Sequence, residues 1–231
     1  RDHFAAQESG APEDYGRAAA WYEQLARVQA AVEGPDAAAQ SLYRAGETRL
    51  AAGEAELAAA HFSRVFLEFP AREESREAGV ALFVIQDEGT YVPAAPDGYS
   101  DAASDAAAAP AIPDRIEVAD AFAARYPDDE RATPMLSRAL ELSRDAGPVA
   151  VIARADGLLA RPDIDAHPDS AYLARDLLAH AHFDLADYAT AEALYGDLLA
   201  TPQLDAEVRE AYENRRVVSI QRQAQEAEAL A

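Results

Sequence analysis

The sequence contains no cysteine and no lysine. The first absence removes disulfides, thiolate zinc sites, iron–sulfur clusters and thiol nucleophiles together. The second leaves 20 arginines as the only permanently cationic side chains, set against 42 carboxylates. The resulting net charge of −22 repels phosphate backbones and anionic membrane surfaces, which bind proteins through positive charge. Nucleic acid is therefore not an expected partner. A GC-rich genome or a salt-adapted proteome accounts for such a balance, which bears on solubility before function.

Aromatics are also scarce, at 8% of residues, and only 11 glycines and 13 prolines are present. A sandwich or barrel needs aromatic and β-branched strands with frequent turn residues. Here the apolar half of the chain is dominated by alanine, the strongest helix former. The nearest candidates for buried parallel strands, Val80 to Ile85 and Val149 to Ile152, are short and lie within helical periodicity. No apolar run approaches the roughly 20 residues that span a bilayer, so direct membrane insertion is not expected. The opening residues Arg1-Asp2-His3-Phe4 carry no apolar signal region.

What the sequence does contain is self-similarity. Gly46 is followed by Ala58 after 12 residues, then by Phe62, Val65 and the closing Pro70. The spacing recurs in Ala179, Ala191, Tyr195 and Leu198, with Pro202 closing, and again in Ala6, Ala18, Tyr22 and Leu25. Such a series describes two antiparallel helices meeting at small side chains, with the aromatic one turn further along the same face filling the adjoining gap. Ala51-Ala52-Gly53-Glu54 and Leu185-Ala186-Asp187-Tyr188 read as the turns inside the pairs.

These residues resemble the tetratricopeptide repeat, in which a small residue in the first helix is followed by a turn, Ala, an aromatic and a closing Pro. Leu42 stands where that family commonly has Trp, and Arg49 and His182 stand where it commonly has Tyr. The resemblance implies an all-α fold, a right-handed superhelical solenoid of antiparallel helix pairs. A single array over 1–231 is expected: a partial repeat at 1–30, repeats at 38–70, 73–127, 130–162 (degenerate) and 169–202, and a polar capping helix at 204–231. In the third repeat, helices at 77–88 and 115–126 flank an insertion at 90–113 rich in Pro, Ala, Asp and Ser, read as a mobile loop. In the degenerate repeat Ala139, Leu142, Ala155 and Leu158 are the expected packing residues. Because the first copy starts within its first helix, the chain reads as part of a longer array.

Few residues suggest chemistry. His180 and His182, two apart on a helix, point in different directions, and a His180–Asp184 pair lacks a third ligand nearby. The segment from Asp163 to Asp169 alternates oxygen ligands as calcium loops do, but it lacks the central Gly and closing Glu. It reads instead as an inter-repeat loop in which Asp169 or Ser170 caps the next helix. Asp128 and Asp129 read as a solvated loop. Trp21, Tyr22, Phe62, Phe66 and Tyr195 fall at packing spacings and are expected in the core. No catalytic, metal-binding or cofactor-binding residue is assigned, no cofactor is expected, and a non-enzymatic protein is expected.

The resemblance also implies a groove lined by the first helices of successive pairs. The residues offset from their packing faces are Gln40, Tyr43 and Glu47 in one repeat and Asp176, His180 and Phe183 in the last. Their acidic and aromatic character suits a basic or amphipathic segment of a partner protein. The helix endings at Arg125 to Asp129 and at Phe69-Pro70 resemble those of helical-repeat proteins of the bacterial cell envelope. That resemblance implies an alternative role as a structural subunit of a larger envelope assembly, and a periplasmic or envelope-associated location over a cytoplasmic one.

Overall fold

The computed structural model describes residues 10–89, 111–202 and 204–230. Among these residues there is no strand. Ten α-helices follow one another among the described residues: α1 (Pro12–Glu33), α2 (Ala39–Ala51), α3 (Ala55–Glu68), α4 (Glu73–Asp87), α5 (Arg115–Arg125), α6 (Ala132–Leu142), α7 (Pro148–Leu159), α8 (Pro168–Asp184), α9 (Tyr188–Leu199) and α10 (Ala206–Ala229). The chain divides into two compact units, 1–127 and 128–231. Ala6 and the stretch 90–110 of the expected insertion lie outside the described residues.

In the first unit each helix packs on the next, and α2 also touches α4. The small-residue logic holds in detail. A Cβ built on Gly46 would lie 2.7 Å from Phe62 Cε1, so the α2 backbone rests directly on the ring. Gly79, 33 residues after Gly46, repeats the arrangement: its Cβ would lie 2.8 Å from the Phe66 ring and 3.1 Å from Phe122. Ala58, Phe62, Val65, Phe66, Leu82 and Phe122 are fully buried. Arg125 stacks 4.5 Å over the Phe66 ring and donates to the Phe66 carbonyl, closing the end of α3.

The two sides of the insertion are held together. Gln86 at the end of α4 donates to the Pro113 carbonyl at 2.8 Å, and Arg115 pairs with Asp87 at 3.3 Å. α5 then starts on a capping box in which Asp114 and Glu117 each accept the other's backbone N–H.

In the second unit α6 to α10 also pack in succession, and α6 touches α8. Its core runs through Leu140, Val151, Ala155, Leu158, Ala174, Leu177 and Leu178, with a second cluster of Ala179, Ala191, Tyr195, Leu198 and Tyr212 beneath α10. Ala139 is fully buried, and Leu140, not Leu142, is the fully buried leucine of α6. Leu140 lies three residues before the 3₁₀ turn Ser143–Ala146 and stays on the inward face, while Leu142 is only half-buried.

Other expectations are corrected. Trp21 is 51% exposed, because the buried face of α1 follows Ala18, Ala19 and Ala26, and its ring instead meets the edge of Tyr22. Neither Asp169 nor Ser170 caps α8: Pro168 takes the first helical position, leaving His167 as the cap without a side-chain bond. Asp163 is taken up structurally, accepting from the buried Thr133 at 2.6 Å and from Arg161 at 2.9 Å. Asp129 is likewise no solvated residue, since it accepts the backbone and guanidinium N–H groups of Arg131.

Candidate functional site

The hairpin turns decide how the first helices present their faces. After α2, Glu54 N–H donates to the Arg49 carbonyl and Gly53 N–H to that of Leu50; Gly53 has φ +80°. After α8, Asp187 N–H donates to the His182 carbonyl and Ala186 N–H to that of Phe183, with Ala186 at φ 61°. Both are Schellman turns in the same register. Each also carries a side-chain bond to a carboxylate across the turn, Arg49 to Glu54 at 2.5 Å and His182 to Asp187 at 2.9 Å. The two positions where the resembled family commonly has Tyr therefore clamp the turn in this chain.

On α8 the residues Tyr172, Asp176, His180 and Asp184 recur every four positions and so share one face. Asp176, His180 and Asp184 line an open cleft of about 430 Å³. Arg144, from the 3₁₀ turn before α7, faces them, and Pro148, Val151, Leu177 and Ala181 supply the apolar lining.

The acidic wall is braced from behind. His180 Nδ1 donates to the Asp176 carbonyl at 2.8 Å and lies 3.2 Å from its Oδ1. Tyr212 of α10 donates to Asp176 Oδ1 at 2.8 Å, and Tyr172 donates in turn to the Tyr212 hydroxyl at 2.7 Å. Tyr195 meets the His180 ring edge-on with centroids 5.5 Å apart.

These contacts set the charges. Burial opposes ionisation of Asp176, but the bonds from His180 and Tyr212 outweigh it and hold the carboxyl below its usual range. The bond to Asp176 lifts the His180 pKa above 6.5 against the opposing effect of burial. Burial pushes the Tyr195 hydroxyl up to about 12, and burial with the bonds to Tyr172 and Asp176 pushes that of Tyr212 up further. At neutral pH Tyr195 and Tyr212 are un-ionised, Tyr212 donating to Asp176, and Asp176 is a fixed anion.

Phe183, the third residue expected on this face, lies elsewhere. It packs between Tyr188 and Tyr195, with the Arg215 guanidinium 4.5 Å above its ring, and so belongs to the seam between α8, α9 and α10.

In the first unit Gln40 is exposed on α2, and Tyr43 is half-buried with its ring 5.5 Å from that of Phe62. Burial, together with the Glu47 and Glu77 carboxylates, pushes the Tyr43 hydroxyl up to about 12. Thus α2 and α4 bring Tyr43, Glu47 and Glu77 close together, while Arg44 pairs with Glu47 at 2.6 Å. Sequence reasoning named Tyr43 and Glu47 but not Glu77, whose signal was its place two residues before Gly79.

Among the described residues no group of three His, Asp or Glu side chains is disposed to hold a metal ion, and no helix is long and apolar enough to cross a membrane. Comparison with protein-family models, curated proteins and solved structures finds no match for the chain.

Proposed function

We propose that this chain is a non-catalytic scaffold, a tetratricopeptide-like right-handed superhelical array whose first helices bind a basic or amphipathic segment of a partner protein. One observation carries the reading: the cleft on α8, where Asp176, His180 and Asp184 form a polar wall against apolar Pro148, Val151, Leu177 and Ala181. Such a surface fits a segment that presents Arg or Lys beside small apolar side chains.

The Asp176 carboxylate is fixed by His180 and Tyr212, so a cation entering the cleft meets an anion already positioned. Asp184 is exposed at the cleft mouth and free to swing toward an incoming guanidinium. Tyr43, Glu47 and Glu77 offer the same chemistry on the first unit, an aromatic edge beside carboxylates.

Fluorescence anisotropy with Arg-containing amphipathic peptides and their Glu-for-Arg counterparts tests the proposal. The Arg peptides bind more tightly, Asp184→Asn weakens them, and Asp184→Arg weakens them by about tenfold or more. Equal affinity of both peptide sets, or affinity for the Arg peptides unchanged by Asp184→Arg, removes the cleft as the site.

A further inference from the structure

On so acidic a chain the open cleft of the first unit is an exception in sign. It is a valley of about 740 Å³ between α1 and α3 with α2 as its floor. Arg27 of α1, Arg49 of α2 and Arg64 of α3 line it, with His61, against a single carboxylate, Glu23. That carboxylate is already engaged. Glu23 Oε1 accepts from Arg49 at 2.7 Å and lies 3.0 Å from His61 Nε2, so it serves to fix the floor.

The cations of the walls are more available. Arg27 has no carboxylate partner among the described residues. Among the described residues Arg64 pairs only with Glu68, one turn along its own helix, and such exposed pairs hold their charges weakly. Between these walls the lining is apolar and mostly small: Ala26, Ala30 and Ala31 on α1, Leu42 on α2, and Leu57, which is 46% exposed, on α3. Small side chains let another backbone approach closely, and an exposed Leu in a valley between helices supplies the apolar contact a third helix covers.

We propose that this valley docks an acidic amphipathic helix of a partner protein, its apolar face on Ala30, Ala31 and Leu57 and its flanking carboxylates on Arg27 and Arg64. Charge complementarity selects the occupant. Arg27 and Arg64 stand on opposite walls, so carboxylates on both flanks of one helix are met at once, which a ligand with a single anionic head does not achieve. The proposal is independent of the α8 cleft, which lies in the other unit and takes the opposite charge.

The test uses the full chain and fluorescein-labelled helical peptides of about 15 residues, roughly four turns. One carries Leu along a single face with Glu on both flanks; a second has Lys in place of Glu. The Glu-flanked peptide binds, its affinity falls as salt is added, and it falls by about tenfold or more in Arg27→Gln/Arg64→Gln. Both positions are helix surface, so circular dichroism should show the variant folded; Leu57→Asp provides a second disruption from the apolar side. The Lys-flanked peptide is unaffected by the Arg27→Gln/Arg64→Gln change. No binding of the Glu-flanked peptide, or binding indifferent to both variants, overturns the proposal. So does laurate bound in an Arg27- and Arg64-dependent way where the peptide is not, since that would assign the valley to a small amphiphile.

Discussion

At the scale of single residues, two left-handed turn positions with the same hydrogen bonds carry different side chains. Gly53 adopts φ +80° without steric cost, whereas Ala186 at φ 61° brings its Cβ against the backbone. Ala186→Gly should therefore stabilise the protein by about 0.5–1 kcal/mol, the left-handed penalty less the added entropy of an unfolded glycine, as read by urea denaturation. Close packing makes the opposite prediction at Gly46. Its missing Cβ leaves room for the Phe62 ring, which is 1% exposed and enclosed, so Gly46→Ala should destabilise by about 1–3 kcal/mol in the same assay. The Gly46, Ala58, Phe62 series was legible in the sequence because small-to-aromatic contacts leave a fixed spacing. Gly79 was not, because the insertion stretches the interval between it and Phe122 from 16 residues to 43. Trp21 shows the converse limit: a large apolar residue at helical spacing lies one position off the buried face of α1.

At the scale of elements, α8 is a lever whose charge depends on pH. His180 has its pKa raised above 6.5, so its contribution to stability is full below that value and is lost as pH rises through the raised pKa. Asp176 is lowered from 3.8, so its contribution is present above that value and is lost as pH falls through the depressed pKa. Stability of the second unit should thus be highest between about 4 and 6.5, and His180→Gln should remove the loss on the alkaline side, as measured by thermal unfolding across pH. Binding follows the opposite course: protonating His180 adds a positive charge to the cleft, so affinity for an Arg peptide should fall as pH drops below the raised pKa. In His180→Gln that dependence should flatten. Part of the face was legible: Asp176 and His180 were expected on it, but Phe183 was placed with them where Tyr172 and Asp184 complete the four-residue repeat. Its bracing was not, because Tyr212 comes from the capping helix, 36 residues beyond Asp176, and nothing local to it signals that contact. The Glu23, Arg49 and His61 cluster was hidden for the same reason, with one member on each of three helices.

At the scale of the whole molecule, the net charge of −22 opposes compaction, while the ion pairs that would offset it are mostly exposed. Raising salt from low to physiological ionic strength should therefore raise the unfolding temperature, by roughly 2–4 °C for each 1 kcal/mol of repulsion screened. A fall with added salt would mean that pairs such as Arg49 with Glu23 outweigh the repulsion. The excess of carboxylates was read from composition alone, but composition is an average. It gave no sign that Asp176 and Asp184 gather on one cleft while Arg27, Arg49 and Arg64 gather on another, because that sorting is done by helix packing. Backbone amide shifts of the labelled protein during titration with an Arg-containing amphipathic peptide test whether the acidic face of α8 is a binding surface. Saturable shifts centred on Asp176, His180 and Asp184 and extending to Val151 are expected; shifts centred elsewhere, or none at saturating peptide, would contradict a binding role for this face.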